Sequence, residues 1–113
     1  MARDKELILW FKDLTIDDVP LVGGKNAALG EMVAKLIPLG VNVPDGFAVT
    51  AEAYRQFLKE AGLEDEINRL LAEVDTHNVA DLQEKGDAIR SLILRADVPD
   101  GINEAILMHY KEL

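Results

Sequence analysis

Gly23, Gly24 and Lys25 are the residues of this chain whose types and spacing best suit chemistry. They stand directly before a run of helical periodicity, in the stretch Leu21-Val22-Gly23-Gly24-Lys25-Asn26-Ala27-Ala28-Leu29-Gly30-Glu31-Met32. A helix start leaves backbone N–H groups without intrahelical partners and carries partial positive charge. Residues lacking a Cβ let a ligand approach that backbone closely, and a lysine adds a mobile cation. Together these features make a cradle for phosphate. The same residues also read as an ordinary Gly-Gly turn with Lys25 solvated, and the triplet alone does not choose. The pattern is not a P-loop, which needs glycine where Val19 stands and Ser or Thr where Asn26 stands. Nor is it a dinucleotide fingerprint, since the G-x-G-x-x-G spacing is absent.

The element that must carry this turn is a helix beginning near Lys25 or Asn26, with Gly23 and Gly24 in the turn before it. Its apolar residues Leu29, Met32, Val33, Leu36 and Ile37 recur at the spacing of one buried face. The helix should stop around Ile37, because Pro38 disfavours helical geometry in the residue before it, and Gly40 supports an end there. Upstream, Leu7-Ile8-Leu9-Trp10-Phe11 reads as a short buried strand, and residues 12–20 read as a loop holding a short turn. Downstream, the Pro44-Asp45-Gly46 turn leads into a second strand, Phe47-Ala48-Val49. Thr50 is then well placed as an N-cap.

The helix after Thr50 carries Tyr54, Phe57, Leu58 and Ala61 on one face and ends at Gly62. Another runs over residues 64–74, with Ile67, Leu70, Leu71 and Val74 in register. A fourth spans residues 79–95, with Val79, Leu82, Gly86, Ile89, Leu92 and Ile93 on its face. Gly86 costs about 1 kcal/mol relative to alanine in a helix interior, so it marks a close crossing or a weak point. A last helix, with Pro99 suited to its first turn, carries Ile102, Ala105, Ile106, His109, Tyr110 and Leu113. The fold class expected is therefore helix-rich α+β, with about five helices and two or more short strands. Two short strands do not make a stable sheet by themselves, so a further strand should come from more chain or from a partner.

Composition narrows the function classes. A length of 113 residues suits one domain or a piece of one, and 49% hydrophobic residues supply a core. The 21 acidic against 12 basic residues give a formal charge of −9, which argues against a general nucleic-acid surface. With no cysteine, disulfides, thiolate metal sites and a cysteine nucleophile are excluded. His77 and His109 lie far apart with no ligand spacing and read as ordinary surface or helix residues. The charged start and short apolar run make neither a signal peptide nor a membrane span, so a soluble cytoplasmic protein is expected.

Several stretches together carry a resemblance. Trp10-Phe11, the segment from Val22 to Met32, Val43-Pro44-Asp45-Gly46-Phe47-Ala48-Val49-Thr50 and Ala53-Tyr54-Arg55-Gln56-Phe57-Leu58 resemble the start of the phosphoenolpyruvate synthase family, as do Ile89-Arg90-Ser91-Leu92-Ile93 and Pro99. Pyruvate, phosphate dikinase and rifampicin phosphotransferase share the general pattern. Asn26 and the run from Phe47 to Arg55 favour the synthase.

The resemblance implies that residues 1–113 are the N-terminal part of an ATP-binding domain of ATP-grasp type, at the front of a longer enzyme. Such an enzyme splits ATP into AMP and phosphate and passes a phosphoryl group through a histidine to pyruvate. That histidine, the pyruvate site and the acidic Mg²⁺ ligands would lie outside this chain, so no catalytic or metal residue is assigned within it. A Val-Arg-Ser-Ser segment supplying an ATP-binding arginine would follow shortly after Leu113. Lys25 matches the family lysine that faces the nucleotide phosphates. Gly23 and Gly24 would admit the ligand to backbone amides, and Thr50 is a weaker candidate for nucleotide contact beside its capping role. ATP and Mg²⁺ are thus the expected cofactors, and ATP and pyruvate the expected partners of the whole enzyme. No nucleic-acid or membrane partner is expected. Half of such a site should bind ATP poorly and be inactive alone, and its exposed apolar surface would favour homo-oligomers. The contrasting reading is a small helical interaction module with no nucleotide role.

Overall fold

The computed structural model describes residues 2–113. The elements run β1 (Ile8–Trp10), α1 (Val19–Val22), α2 (Gly24–Leu36), β2 (Phe47–Val49), α3 (Ala51–Glu60), α4 (Glu64–Glu73), α5 (Val79–Arg95) and α6 (Asp100–Glu112). Short 3-10 turns cover Phe11–Asp13, Ile16–Asp18 and Ile37–Leu39. The class is helix-rich α+β, as expected, with six helices among the described residues where about five were expected. The extra one is α1, where residues 12–20 had read as a loop. Pro20 in its first turn lacks only an N–H that a helix start leaves unbonded anyway. The chain divides into two compact units, residues 1–56 with 100–113, and residues 57–99.

In the first unit β1 and β2 pair antiparallel, with Ile8 opposite Val49, Leu9 opposite Ala48 and Trp10 opposite Phe47. Alternation along the strands turns Leu9 and Ala48 to one face, where they join Leu14, Val22 and Ala27 in the buried cluster. Phe11 and Leu21 pack against that cluster from its margin. Trp10 and Phe47 meet edge to face with centroids 5.7 Å apart. His109 of α6 lies against both rings, at 5.3 and 5.7 Å, and its Nδ1 is 2.7 Å from the Ala105 carbonyl. His109 is therefore part of the packing between α6 and the sheet. Ile102 is the buried residue of α6, while Tyr110 and Leu113 of its expected face are exposed.

The buried side of α2 differs from the apolar stripe. Ala27, Gly30 and Val33 are buried, Leu29 and Leu36 half-buried, and Met32 and Ile37 exposed. The reason is distance. A Cβ on Gly30 would lie 2.5 Å from the Leu14 Cβ and 2.8 Å from the Leu14 carbonyl oxygen. Such an approach admits only the smallest residues, so size rather than hydrophobicity selects the face. The helix also starts one residue earlier than the periodicity implies, with Gly24 as its first residue and only Gly23 in the turn.

The second unit contains the last turn of α3 and the helices α4 and α5. Leu63 is buried, and Ile67, Leu70, Ile89, Leu92 and Ile93 are half-buried. Val79, Leu82 and Leu71, expected on inner faces, are exposed. Asn78 caps α5 by accepting from the Asp81 N–H at 3.2 Å. Gly86 is not a crossing point: a Cβ there would meet only the guanidinium end of Arg90, at 3.4 Å. It is the weak position in α5.

Candidate functional site

Gly23 is where α1 gives way to α2. Its backbone stands at φ 84°, ψ 163°, a conformation open essentially to glycine alone. That rotation interrupts what would otherwise be one continuous helix. The Gly23 N–H still closes α1 by donating to the Val19 carbonyl at 2.8 Å, and α2 opens with the Ala27 N–H donating to the Gly23 carbonyl at 3.1 Å. Between them, the N–H groups of Gly24, Lys25 and Asn26 have no acceptor among the described residues, and no side chain caps the helix. Gly23, Gly24 and Lys25 are all exposed. Lys25 enters no ion pair or hydrogen bond among the described residues. Three free amides and a free ammonium thus share one open turn, at the positive end of a 13-residue helix.

Gly24 is informative for a different reason. Its backbone is helical, and a Cβ there would meet no protein atom within 4 Å. Neither conformation nor packing within the described residues calls for glycine there.

The turn is anchored from behind. The Arg3 guanidinium grips both Asp18 oxygens, Nη1 at 3.0 Å and Nη2 at 2.8 Å, and Nη2 also donates to the Asp13 carbonyl at 2.8 Å. Asp18 further accepts from the Thr15 N–H at 2.8 Å, completing a reciprocal capping box with Thr15. One α2 side chain reaches the same turn: Glu31 accepts from the Ile16 N–H at 2.9 Å. Asp18 and Glu31 are thereby committed to holding α1 and α2 in register. Fifteen residues separate each of these pairs in sequence, so no local pattern announces them.

The Arg3 hydrogen bonds, helped by the Thr15 amide and opposed by burial, hold the Asp18 carboxyl below its ordinary value of 3.8. A carboxyl lowered on folding stabilises the native state above its unfolded pKa, and that contribution is lost as pH falls through the folded value. Replacing Asp18 with asparagine is accordingly expected to cost about 1–3 kcal/mol at neutral pH. The difference from the parent should shrink as pH drops below about 4. Urea unfolding followed by fluorescence of Trp10 reads it. A penalty constant down to pH 2.5 would exclude the ionised pair as its source.

Thr50 is 3% exposed. Its hydroxyl donates to the Glu6 carbonyl at 2.6 Å and accepts from the Ala53 N–H at 3.1 Å. These bonds make it the cap of α3 and a tie to the start of β1. A recess in the same unit, of about 470 Å³, is bordered by Arg3, Glu6, Trp10, Asp13 and His109. Its two carboxylates oppose a polyphosphate, which leaves the Lys25 turn as the better anion seat. Among the described residues, no three His, Asp or Glu side chains gather to hold a metal ion. No described helix is long and apolar enough to cross a membrane.

The family described as "Pyruvate phosphate dikinase, AMP/ATP-binding domain" matches residues 19–113, which include all of α1 and α2. The chain is 48% identical over 108 residues to a phosphoenolpyruvate synthase of Synechocystis, covering 96% of the chain and 13% of that protein. It is 44% identical over 111 residues to the enzyme of that name from Aquifex aeolicus, covering 98% and 13%. For the Escherichia coli phosphoenolpyruvate synthase the identity is 42% over 107 residues, covering 95% and 14%. The chain thus spans about one-eighth of the length of the curated relatives it matches. A match of this extent means that the chain belongs to the family of pyruvate phosphate dikinase AMP/ATP-binding domains.

Proposed function

We propose that this chain is the N-terminal, ATP-binding portion of a phosphoenolpyruvate synthase, in an ATP-grasp-type domain completed by the rest of a longer protein. The observation that carries the reading is the Lys25 turn: three unpaired amides and an unpaired ammonium on a chain of an AMP/ATP-binding family. In this proposal Lys25 faces the phosphates as a point charge. Gly23 sets the turn, Gly24 clears the approach, and the amides of residues 24–26 donate to phosphate oxygens. Phosphoryl transfer depends mainly on positioning and on offsetting negative charge, and this turn supplies both. Thr50 serves from a distance, by tying β1 to the start of α3.

The whole reaction would convert ATP, pyruvate and water to phosphoenolpyruvate, AMP and phosphate. The phosphoryl group destined for pyruvate would travel on a histidine of another domain. His77 is exposed on a helix-linking turn and His109 is packed against Trp10, so neither suits that role. Mg²⁺ would neutralise charge on the nucleotide, but the acidic groups near the Lys25 turn do not suit it. Asp18 is engaged by Arg3, and Glu31 by the Ile16 amide. Its ligands therefore belong to the remainder of the protein, together with the second wall of the ATP site. A cytoplasmic location and self-association through exposed apolar residues such as Leu39 and Leu94 go with this reading.

The family name covers a reaction that consumes phosphate, whereas the relatives favour the one that consumes water. Product analysis separates them. The full-length protein given ATP and pyruvate without added phosphate is expected to release AMP and phosphate in equal amounts with phosphoenolpyruvate. A requirement for phosphate, with pyrophosphate as product, would assign it to the dikinase reaction instead.

A further inference from the structure

In an uninterrupted helix the carbonyl of Val22 would accept from the backbone N–H of Asn26, four residues on. The rotation at Gly23 separates them: residue 23 belongs to neither helix, and the Asn26 N–H has no acceptor among the described residues. The carbonyl is nevertheless satisfied. It accepts from the side-chain Nδ2 of the same residue, Asn26, at 2.9 Å. One residue therefore offers two donors to two places. Its carboxamide takes the position that its own backbone N–H would occupy in a continuous helix, and that backbone N–H is left unengaged.

We infer that Asn26 is a positioning residue of the phosphate seat. Its side chain occupies the Val22 carbonyl so that its main-chain amide stays available, as the third donor beside those of Gly24 and Lys25. The inference rests on reading the Lys25 turn as the seat of the ATP phosphates. The physical argument is competition for one acceptor. Without a side-chain donor at position 26, the half-buried Val22 carbonyl end loses its partner, which is unfavourable. The nearest remedy is for the residue 26 amide to turn back onto it, extending α2 through position 23 and removing one donor from the seat. The carboxamide also links the last carbonyl of α1 to the first turn of α2, so it steadies the direction in which all three amides point.

The test uses the full-length protein with ATP and adenosine as probes. Asn26→Ala is expected to raise the ATP Kd by about tenfold or more, the effect of losing one donor to a charged acceptor. Adenosine, which has no phosphate, should bind within about twofold of the parent. Hydrogen exchange at the residue 26 amide should slow, because that amide acquires an acceptor. Unchanged ATP binding in Asn26→Ala, with binding weakened in Lys25→Ala, would overturn the role of Asn26 and leave the seat in place. Equal losses for ATP and adenosine would also overturn it, by revealing a general structural role. Parent-like ATP binding in both variants would remove the seat itself, and the inference with it. If the alanine variant does not fold, Asn26→Asp, which keeps the shape but cannot donate, decides by exchange alone. A slowed residue 26 amide supports the inference, and an unchanged one overturns it.

Discussion

Replacing Lys25 with alanine in the full-length protein is expected to lower ATP-dependent phosphoenolpyruvate formation by about 10²–10³-fold, the scale of removing one preorganised charge or donor from a phosphoryl-transfer site. Stability should hardly move. Lys25 is exposed and has no partner among the described residues, and surface substitutions of that kind stay within about 0.5 kcal/mol. The combination distinguishes a ligand contact from a structural lysine. A solvated turn lysine predicts parent-like turnover and parent-like melting. A lysine packed into the fold predicts that activity and melting fall together. Lys25→Arg should recover only part of the loss, because a planar fork does not reproduce a compact point charge on a flexible stem. Steady-state kinetics and a thermal melt on the three proteins decide, and turnover unaltered in Lys25→Ala would remove this residue from the mechanism.

Gly30→Ala is expected to destabilise the first unit. At an exposed helix position the same change would stabilise by about 1 kcal/mol. Here the added methyl would lie 2.5 Å from the Leu14 Cβ and 2.8 Å from the Leu14 carbonyl oxygen. Leu14 is 1% exposed, at the centre of the buried cluster. The obstruction includes backbone, so no rotamer change relieves it, and α2 must lift away from the preceding turn. Overpacking of this kind costs about 1–3 kcal/mol, and the shift would also strain the Glu31 bond to the Ile16 amide. The expected outcome is a net loss of about 2 kcal/mol or more in urea unfolding followed at Trp10. Weakened ATP affinity in the full-length protein should accompany it, since α2 carries the Lys25 turn. Gly24→Ala is the matched control for stability alone, because a Cβ there meets no protein atom within 4 Å. A neutral or stabilising Gly30→Ala would contradict the close approach of α2 to Leu14.

Much of the candidate site is legible in the chain because it is local. The Gly23-Gly24-Lys25 run before an apolar repeat places a helix start to within a residue, and Thr50 announces the cap it forms. The expected boundaries of α5 and of β2 coincide with the observed ones, Val79–Arg95 and Phe47–Val49. Asn26 shows in the sequence as the residue that breaks the P-loop pattern and as part of the family resemblance, not as a donor to a carbonyl. Its bond to the Val22 carbonyl depends on a rotation at Gly23 that spacing does not encode.

The turn that opens α2, both strands and every helix but α1 were legible in the sequence itself. They depend on neighbours within a few residues: missing Cβ atoms, capping hydroxyls, proline interruptions and apolar repeats. Tertiary structure alone decided which side of α2 is buried, that Arg3 clamps Asp18, and that His109 packs on Trp10 and Phe47. Those outcomes depend on how closely distant segments approach. At the Leu14 contact there is room for Ala27 and Gly30, and the larger Met32 and Ile37 are left at the surface.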